Sequence, residues 1–332
     1  KQSLKYCTCI LMKVHTLDID SGERDTNVYP YANAYTVTLK NPIYNVTNIT
    51  LVSARIPTPQ LTTCATNKSF SVDGVTISLD ETNYSNGTIL ASDLDVKLQP
   101  PISNVDSVVF DTDTDALTFS NTTSGGNFTF EFFDGTHGYS SNIALTTPHQ
   151  VMGFSSQNQS SSNYTLTSGA INLGGPNSLI MKLTSGSDEF TKSVYSTTPF
   201  YTGHILLNGS DVINYHGADD PLKHEFYSGP QKYISDIHIE FFYMSHGRLI
   251  PYDFRHQDHI LKFEITGSTD KLESLPKVPI PDDVGEEEAP SISIPGGEVN
   301  AYKWKEYLSI GIIVLVGIIL MSLVRRKPKL SE

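Results

Sequence analysis

Cysteine is scarce in this chain: there are three in 332 residues, Cys7, Cys9 and Cys64. An odd, sparse count excludes a disulfide framework. Cys7 and Cys9 would share one side of a strand, but two thiolates alone do not make a zinc site. All three read as free thiols, which suits a reducing compartment. Basic residues are also short, 23 Lys and Arg against 36 Asp and Glu, for a net charge of -13. Nucleic-acid affinity rests on clustered Lys and Arg, so no nucleic-acid partner is expected. The fingerprints of catalysis are missing too. There is no G-x-S-x-G, H-E-x-x-H, Walker loop or dinucleotide-binding glycine pattern. The Gly-Gly pairs beginning at Gly125, Gly174 and Gly296 lack the strand-to-helix setting of a phosphate cradle. No nucleophile is matched with a base, so no enzyme activity, cofactor, metal or small-molecule substrate is expected.

Period-two alternation of apolar and polar residues is abundant. Residues 34–39 (AYTVTL) alternate. In residues 48–56 (NITLVSARI), Ile49 and Leu51 take one side and Val52, Ala54 and Ile56 the other, which predicts a bulge or kink. Residues 105–120 read as a hairpin around the acidic turn DTDTD, and 127–133 (NFTFEFF) as another strand. In residues 234–244 (ISDIHIEFFYM), Ile237, Ile239, Phe241 and Tyr243 share one face; SHGRL then turns the chain, and Leu261, Phe263 and Ile265 alternate in ILKFEI. This is the pattern of an antiparallel sheet with one solvated face. One short helix is predicted at 88–99, where Leu90, Leu94 and Leu98 recur four apart until Pro100 and Pro101 stop it.

Three residue groups invite a chemical reading. DTDTD begins like a calcium loop, but Ala116 and Thr122 occupy the positions where an EF-hand needs Gly and Glu, so a solvated turn is expected. Seven of ten histidines follow position 200, and His256 and His259 flank Asp258. A lone His-x-x-His on a loop is weak grounds for a metal site. Ten N-x-S/T sequons begin at Asn45, Asn48, Asn67, Asn83, Asn86, Asn121, Asn127, Asn158, Asn163 and Asn208. Asn45, Asn83, Asn86, Asn121, Asn158, Asn163 and Asn208 are the candidate glycosylation sites. A chain rich in Asn, Ser and Thr also generates sequons by chance.

The C-terminal sixth changes character. Residues 267–301 are rich in Pro, Gly and acids and read as a linker able to span roughly 100 Å when extended. Tyr302 and Trp304 precede a run from 307 to 324 without a charge, and Arg325, Arg326, Lys327 and Lys329 follow it. A membrane-crossing helix with an interfacial aromatic flank and a lipid-facing basic tail is predicted at 302–324 and 325–332. Its anchor residues would be Tyr307, Ile310, Ile312, Val314, Val316, Ile319 and Leu323, bounded by Arg325, Arg326 and Lys327. The run is apolar on every face, which disfavours a core helix. The apolar centre of KQSLKYCTCILMK is too short for a signal peptide, so cytosolic synthesis followed by C-terminal insertion is expected.

The blocks LDIDSGERDTNVYPYANAYTVTL (17–39), NPIYNVTNITLVSARIP (41–57), VMGF (151–154), ISDIHIEFFYM (234–244) and HGRLIPYDFRHQDHILKFEI (246–265) resemble a minor capsid protein family of large nucleocytoplasmic DNA viruses, the chlorella-virus and mimivirus-like groups. The resemblance lies in block order and texture. It implies a jelly-roll-type sandwich beneath the major capsid shell. Major capsid protein capsomers and other minor capsid proteins would be its partners, with no active site to transfer. Asp20, Arg24, Tyr29 and Pro30 match the family's opening motif. Their implied role is to fix the first loop through hydrogen bonds and a pre-set proline φ.

The expected fold is therefore all-β: a jelly-roll-type antiparallel β-sandwich over residues 1–266, one elaborated roll or two in series, plus one C-terminal transmembrane helix. The expected function is that of a structural minor capsid protein tethering the capsid shell to an internal virion membrane. The alternative is a glycosylated type I membrane adhesin with a receptor-binding β-sandwich, which the positive-inside rule favours and which needs a signal peptide upstream of Lys1.

Overall fold

A computed structural model describes residues 12–99, 104–123, 125–140, 145–186, 188–189, 203–226 and 230–269. All belong to the first of two units, Lys1–Leu275 and Pro276–Glu332. Cys7, Cys9, the linker beyond 269, the apolar run at 307–324 and the basic tail lie outside the described residues.

Strands β1 (Met12–Asp20) and β2 (Ala34–Pro57) open the fold. A lobe follows, made of β3 (Ser69–Val72), β4 (Val75–Ser78), α1 (Gly87–Leu98), β5 (Ser107–Asp111), β6 (Ala116–Ser120), β7 (Thr129–Glu131), β8 (Gln159–Ser160) and β9 (Thr165–Ala170). The main sheet resumes with β10 (Ser178–Ser185), β11 (Asp188–Glu189), β12 (Gly203–Leu206), β13 (Val212–His216), β14 (Leu222–Glu225), β15 (Gln231–Ser245), β16 (Arg248–Pro251) and β17 (Ile260–Ser268).

The 24-residue β2 changes partners along its length. Its first half pairs with β15. Its second half has β17 on one side and β13 and β14 on the other. Outside these, β1 pairs with β17, and β10 lies between β15 and β12. The result is two four-strand sets, β1-β17-β2-β13/β14 and β2-β15-β10-β12, all antiparallel, with β2 supplying a strand to each. This is the strand order of an eight-stranded jelly roll. One core serves both sets: Ile49, Leu51, Ile56, Leu179, Ile237, Ile239, Phe241 and Phe263 belong to one buried cluster.

The predicted irregularity in β2 is a bulge at Val52. Lys262 pairs with Ser53 and Phe263 with Leu51, so Val52 is the extra residue. The bulge shifts the pleat by one and brings Ile49, Leu51, Ala54 and Ile56 all inward, leaving Val52 39% exposed. The sequence reading had Val52, Ala54 and Ile56 on one side; the structure separates Val52 from the other two.

The lobe has its own core, in which Leu90, Leu94 and Leu98 of α1 meet Phe70, Phe119, Phe130 and Phe132. Asn86 caps the helix, its side-chain oxygen accepting from the Ile89 N–H at 3.0 Å. The strand expected at 127–133 shortens to β7. Its flanking amides bond side chains instead of a ladder: Phe133 N–H donates to Asn158 Oδ1, and Asp134 N–H does the same. Among the described residues, the jelly-roll-like strands share one core and the small mixed lobe between β2 and β10 has another.

Candidate functional site

One arginine clasps the loop after β1. Asp20 caps the 3-10 turn Ser21–Glu23, accepting from the Gly22 N–H at 2.8 Å. Arg24 donates from Nη1 to the Ser21 carbonyl at 2.7 Å, from Nε to the Tyr29 carbonyl at 3.1 Å and from Nη2 to the Pro30 carbonyl at 3.4 Å. Its guanidinium also pairs with Asp258, in the loop before β17. Ser21 Oγ donates to Asp258 Oδ1 and accepts from the His259 N–H. The Tyr35 hydroxyl lies 2.9 Å from His259 Nε2. Buried against Phe241 and Phe254, the His259 imidazole is held down to a pKa of about 3, chiefly by burial, with Asp258 opposing the shift and Arg24 adding to it. Asp20 and Arg24 make the loop-fixing bonds that the resemblance implies, whereas Tyr29 and Pro30 contribute backbone carbonyls.

A second polar cluster joins the lobe to the jelly roll. His246 and Gly247 both have positive φ, 43° and 81°, in the two-residue turn between β15 and β16. The turn presents its polar groups to the lobe. The Tyr139 hydroxyl lies 2.5 and 2.6 Å from the Ser245 and His246 carbonyls. Thr146 and Ser245 bond through their hydroxyls at 2.9 Å, and Thr66 reaches Tyr243 at 3.2 Å. His149 Nε2 stands 2.7 Å from His246 Nδ1, while Thr147 Oγ1 holds His149 Nδ1 at 2.8 Å. Arg248 caps the Tyr139 ring, 4.1 Å from its centroid. His149 is fully buried, and burial together with His246 lowers its pKa to about 4. A hydrogen bond between two imidazoles needs one protonated and one bare nitrogen. The sequence held no sign of this pair, because residues 149 and 246 meet only through the tertiary fold.

The other residues singled out by sequence do not converge. Asp111 accepts from the Asp113 N–H and the Thr114 hydroxyl, which makes DTDTD a closed turn. The His256 ring lies tilted beside Tyr31, 5.8 Å between centroids, while His259 is buried. Among the described residues no group of three or more His, Cys, Asp and Glu side chains gathers in metal-binding geometry. Cys64 is buried, and burial pushes its thiol pKa up. Of the sequon asparagines, Asn121 is fully buried with Nδ2 donating to the Gly126 carbonyl. Asn83, Asn158 and Asn208 accept backbone N–H groups in turns. Asn45 and Asn163 hold positive φ, 52° and 50°. The anchor residues at 307–327 lie outside the described residues; among those described, no helix is long and apolar enough to cross a membrane.

Clefts open on the surface of the described residues, two of them with distinct linings. The smaller, about 240 Å³, is lined by Tyr31, Cys64, Tyr252, Phe254 and His256 among others. The larger, about 500 Å³, lies where the loops at 58–62, 173–177 and 207–211 meet.

No protein-family model matches the chain, and no curated protein matches it. Among solved structures, the crystal structure of the mavirus penton protein is 12% identical with a TM-score of 0.36, over 78% of this chain and 100% of that one. A chain of the Sputnik virophage, solved by cryo-EM, is 9% identical with a TM-score of 0.25, over 77% of this chain and 98% of that one.

Proposed function

We propose that this chain is a structural, non-catalytic protein of a virion. Its jelly-roll head docks among capsid proteins, and the linker at 267–301 leashes it to an internal membrane through the apolar run at 307–324. The observation that carries the reading is the strand order, β1-β17-β2-β13/β14 beside β2-β15-β10-β12. Viral capsid domains are built on this order, and lectin domains share it. The resemblance of the blocks at 17–57, 151–154 and 234–265 to minor capsid proteins favours the capsid use. The tether acts by effective concentration: a head linked to a membrane-held helix rebinds the overlying shell in an intramolecular step. The basic tail suits anionic headgroups.

Protease treatment of intact and shell-stripped particles tests the location, and extraction tests the anchor. Cleavage within 267–301 should appear only after stripping, and release should need detergent. Cleavage in intact particles would overturn the internal location. Release by high salt alone would overturn the membrane anchor.

A further inference from the structure

The larger cleft has a lining suited to one class of ligand. It is rich in amides and hydroxyls and contains no Lys, Arg or His. Its floor is formed by buried Thr62 and Tyr252, and Leu173 and Leu207 give it half-buried apolar flanks. Two glycines of positive φ, Gly175 at 73° and Gly209 at 75°, turn the flanking loops at its edge. The polar groups are only partly used by the fold. Asn83 Oδ1 accepts from the Thr62 N–H and Gln60 Oε1 accepts from the Asp253 N–H. The Nδ2 of Asn83, the Nε2 of Gln60, and the side chains of Asn177, Ser210 and Asp211 remain available in the cleft.

From this set we infer that the cleft is a binding site for a neutral saccharide. The chemistry selects by exclusion and by match. With no cation in the lining, a phosphate, sulfate or carboxylate ligand would enter uncompensated beside Asp211, at a desolvation cost. A purely apolar ligand would strand the amides without partners. Vicinal sugar hydroxyls donate to the Asp211 carboxylate and accept from the Asn83 and Gln60 amides, so each polar group on both sides finds a partner. The C–H face of a pyranose lies against Leu173 and Leu207. A volume of about 500 Å³ falls within the ordinary range for small-ligand sites. The site does not depend on the capsid reading. Occupancy would bridge the inserted lobe, through Asn83 and Leu173, to the jelly roll, through Leu207 and Asp211.

The test uses the full chain from a host without N-glycosylation, so that Asn83 carries no glycan, in a detergent lacking a sugar headgroup. Mannose, galactose and N-acetylglucosamine at millimolar concentration are the probes, read by saturation-transfer difference NMR. At least one should receive saturation. Asp211→Ala and Asn177→Ala, both at exposed positions, should each weaken it by roughly tenfold, the equivalent of one charge-assisted or neutral hydrogen bond. Thermal melting of both variants should stay at the parent value, which separates ligand loss from misfolding. No transfer to any of the three sugars, or transfer unchanged by both substitutions, would overturn the site.

Discussion

At the scale of single residues, two histidines tie stability to pH. His149 and His259 have pKa values lowered to about 4 and about 3 from 6.5. In both cases burial is the main cause, so the unfolded chain binds protons that the folded chain refuses. Their stabilisation is complete above pH 6.5, falls as pH drops through the window down to the folded values, and levels off below them. Each group contributes a slope of at most about 1.4 kcal/mol per pH unit in that window. Urea denaturation between pH 7 and pH 4 should show this loss, and His149→Gln should flatten it by about one proton's worth; an unchanged slope would mean that the His149 ring titrates normally. Arg24 sets a second expectation. Its side chain is 6% exposed and holds three carbonyls besides a half-exposed Asp258. Arg24→Ala should therefore cost about 2 kcal/mol, seen as a melting point lower by roughly 4–8 °C. By contrast Lys262→Ala, which removes an exposed pair with Asp18, should stay within about 0.5 kcal/mol.

At the scale of elements, the bulge in β2 and the cap of α1 show which features a sequence exposes. The change of phase at Val52 is written in the chain, because the five apolar residues Ile49, Leu51, Val52, Ala54 and Ile56 cannot alternate through it without an extra residue. Its partner is not. Gly217 donates to the Val52 carbonyl at 2.8 Å, and a Cβ there would lie 2.5 Å from the Leu51 carbonyl oxygen. Gly217→Ala should therefore lower stability by more than a surface glycine substitution, about 1–3 kcal/mol by chemical denaturation, whereas Val52→Thr should be nearly neutral. The sequence marks Asn86 only as a sequon, and the structure uses its side chain as the helix cap. Asn86→Ala should cost about 1 kcal/mol, while Asn86→Asp, which removes the sequon and keeps the cap, should melt within a degree or two of the parent. The long strands β15 and β17 were legible for the same reason as the bulge: their apolar residues recur every second position over a buried face. β7 was overread because alternation cannot reveal that Asn158 takes the backbone donors at its end. The clasp was partly legible, Arg24 and Asp20 through resemblance, but its partners Asp258 and His259 sit more than two hundred positions away.

For the whole molecule, the point at issue is which parts stand alone. The jelly roll closes with β1 and β17 paired along their full length, Met12 opposite Ser268 and Asp20 opposite Ile260. The rungs at Gly267 and Ser268 carry β17 two residues into the stretch read as linker, and among the described residues the last member of either core cluster is Ile265. A head that folds without the C-terminal run is therefore expected. A chain ending at Thr269 should be obtained without detergent and give a far-ultraviolet circular dichroism spectrum dominated by β structure. Its cooperative melt should match that of the full chain in detergent. The two proteins should differ in partitioning, with only the longer one floating with liposomes. A short chain that aggregates or melts well below the full one would show that the final segment completes the head instead of anchoring it. Equal flotation of both would move the lipid contact from the run at 307–324 to the head itself. Such an outcome would leave the jelly roll intact and remove the leash, because strand order and lipid attachment rest on separate stretches of this chain.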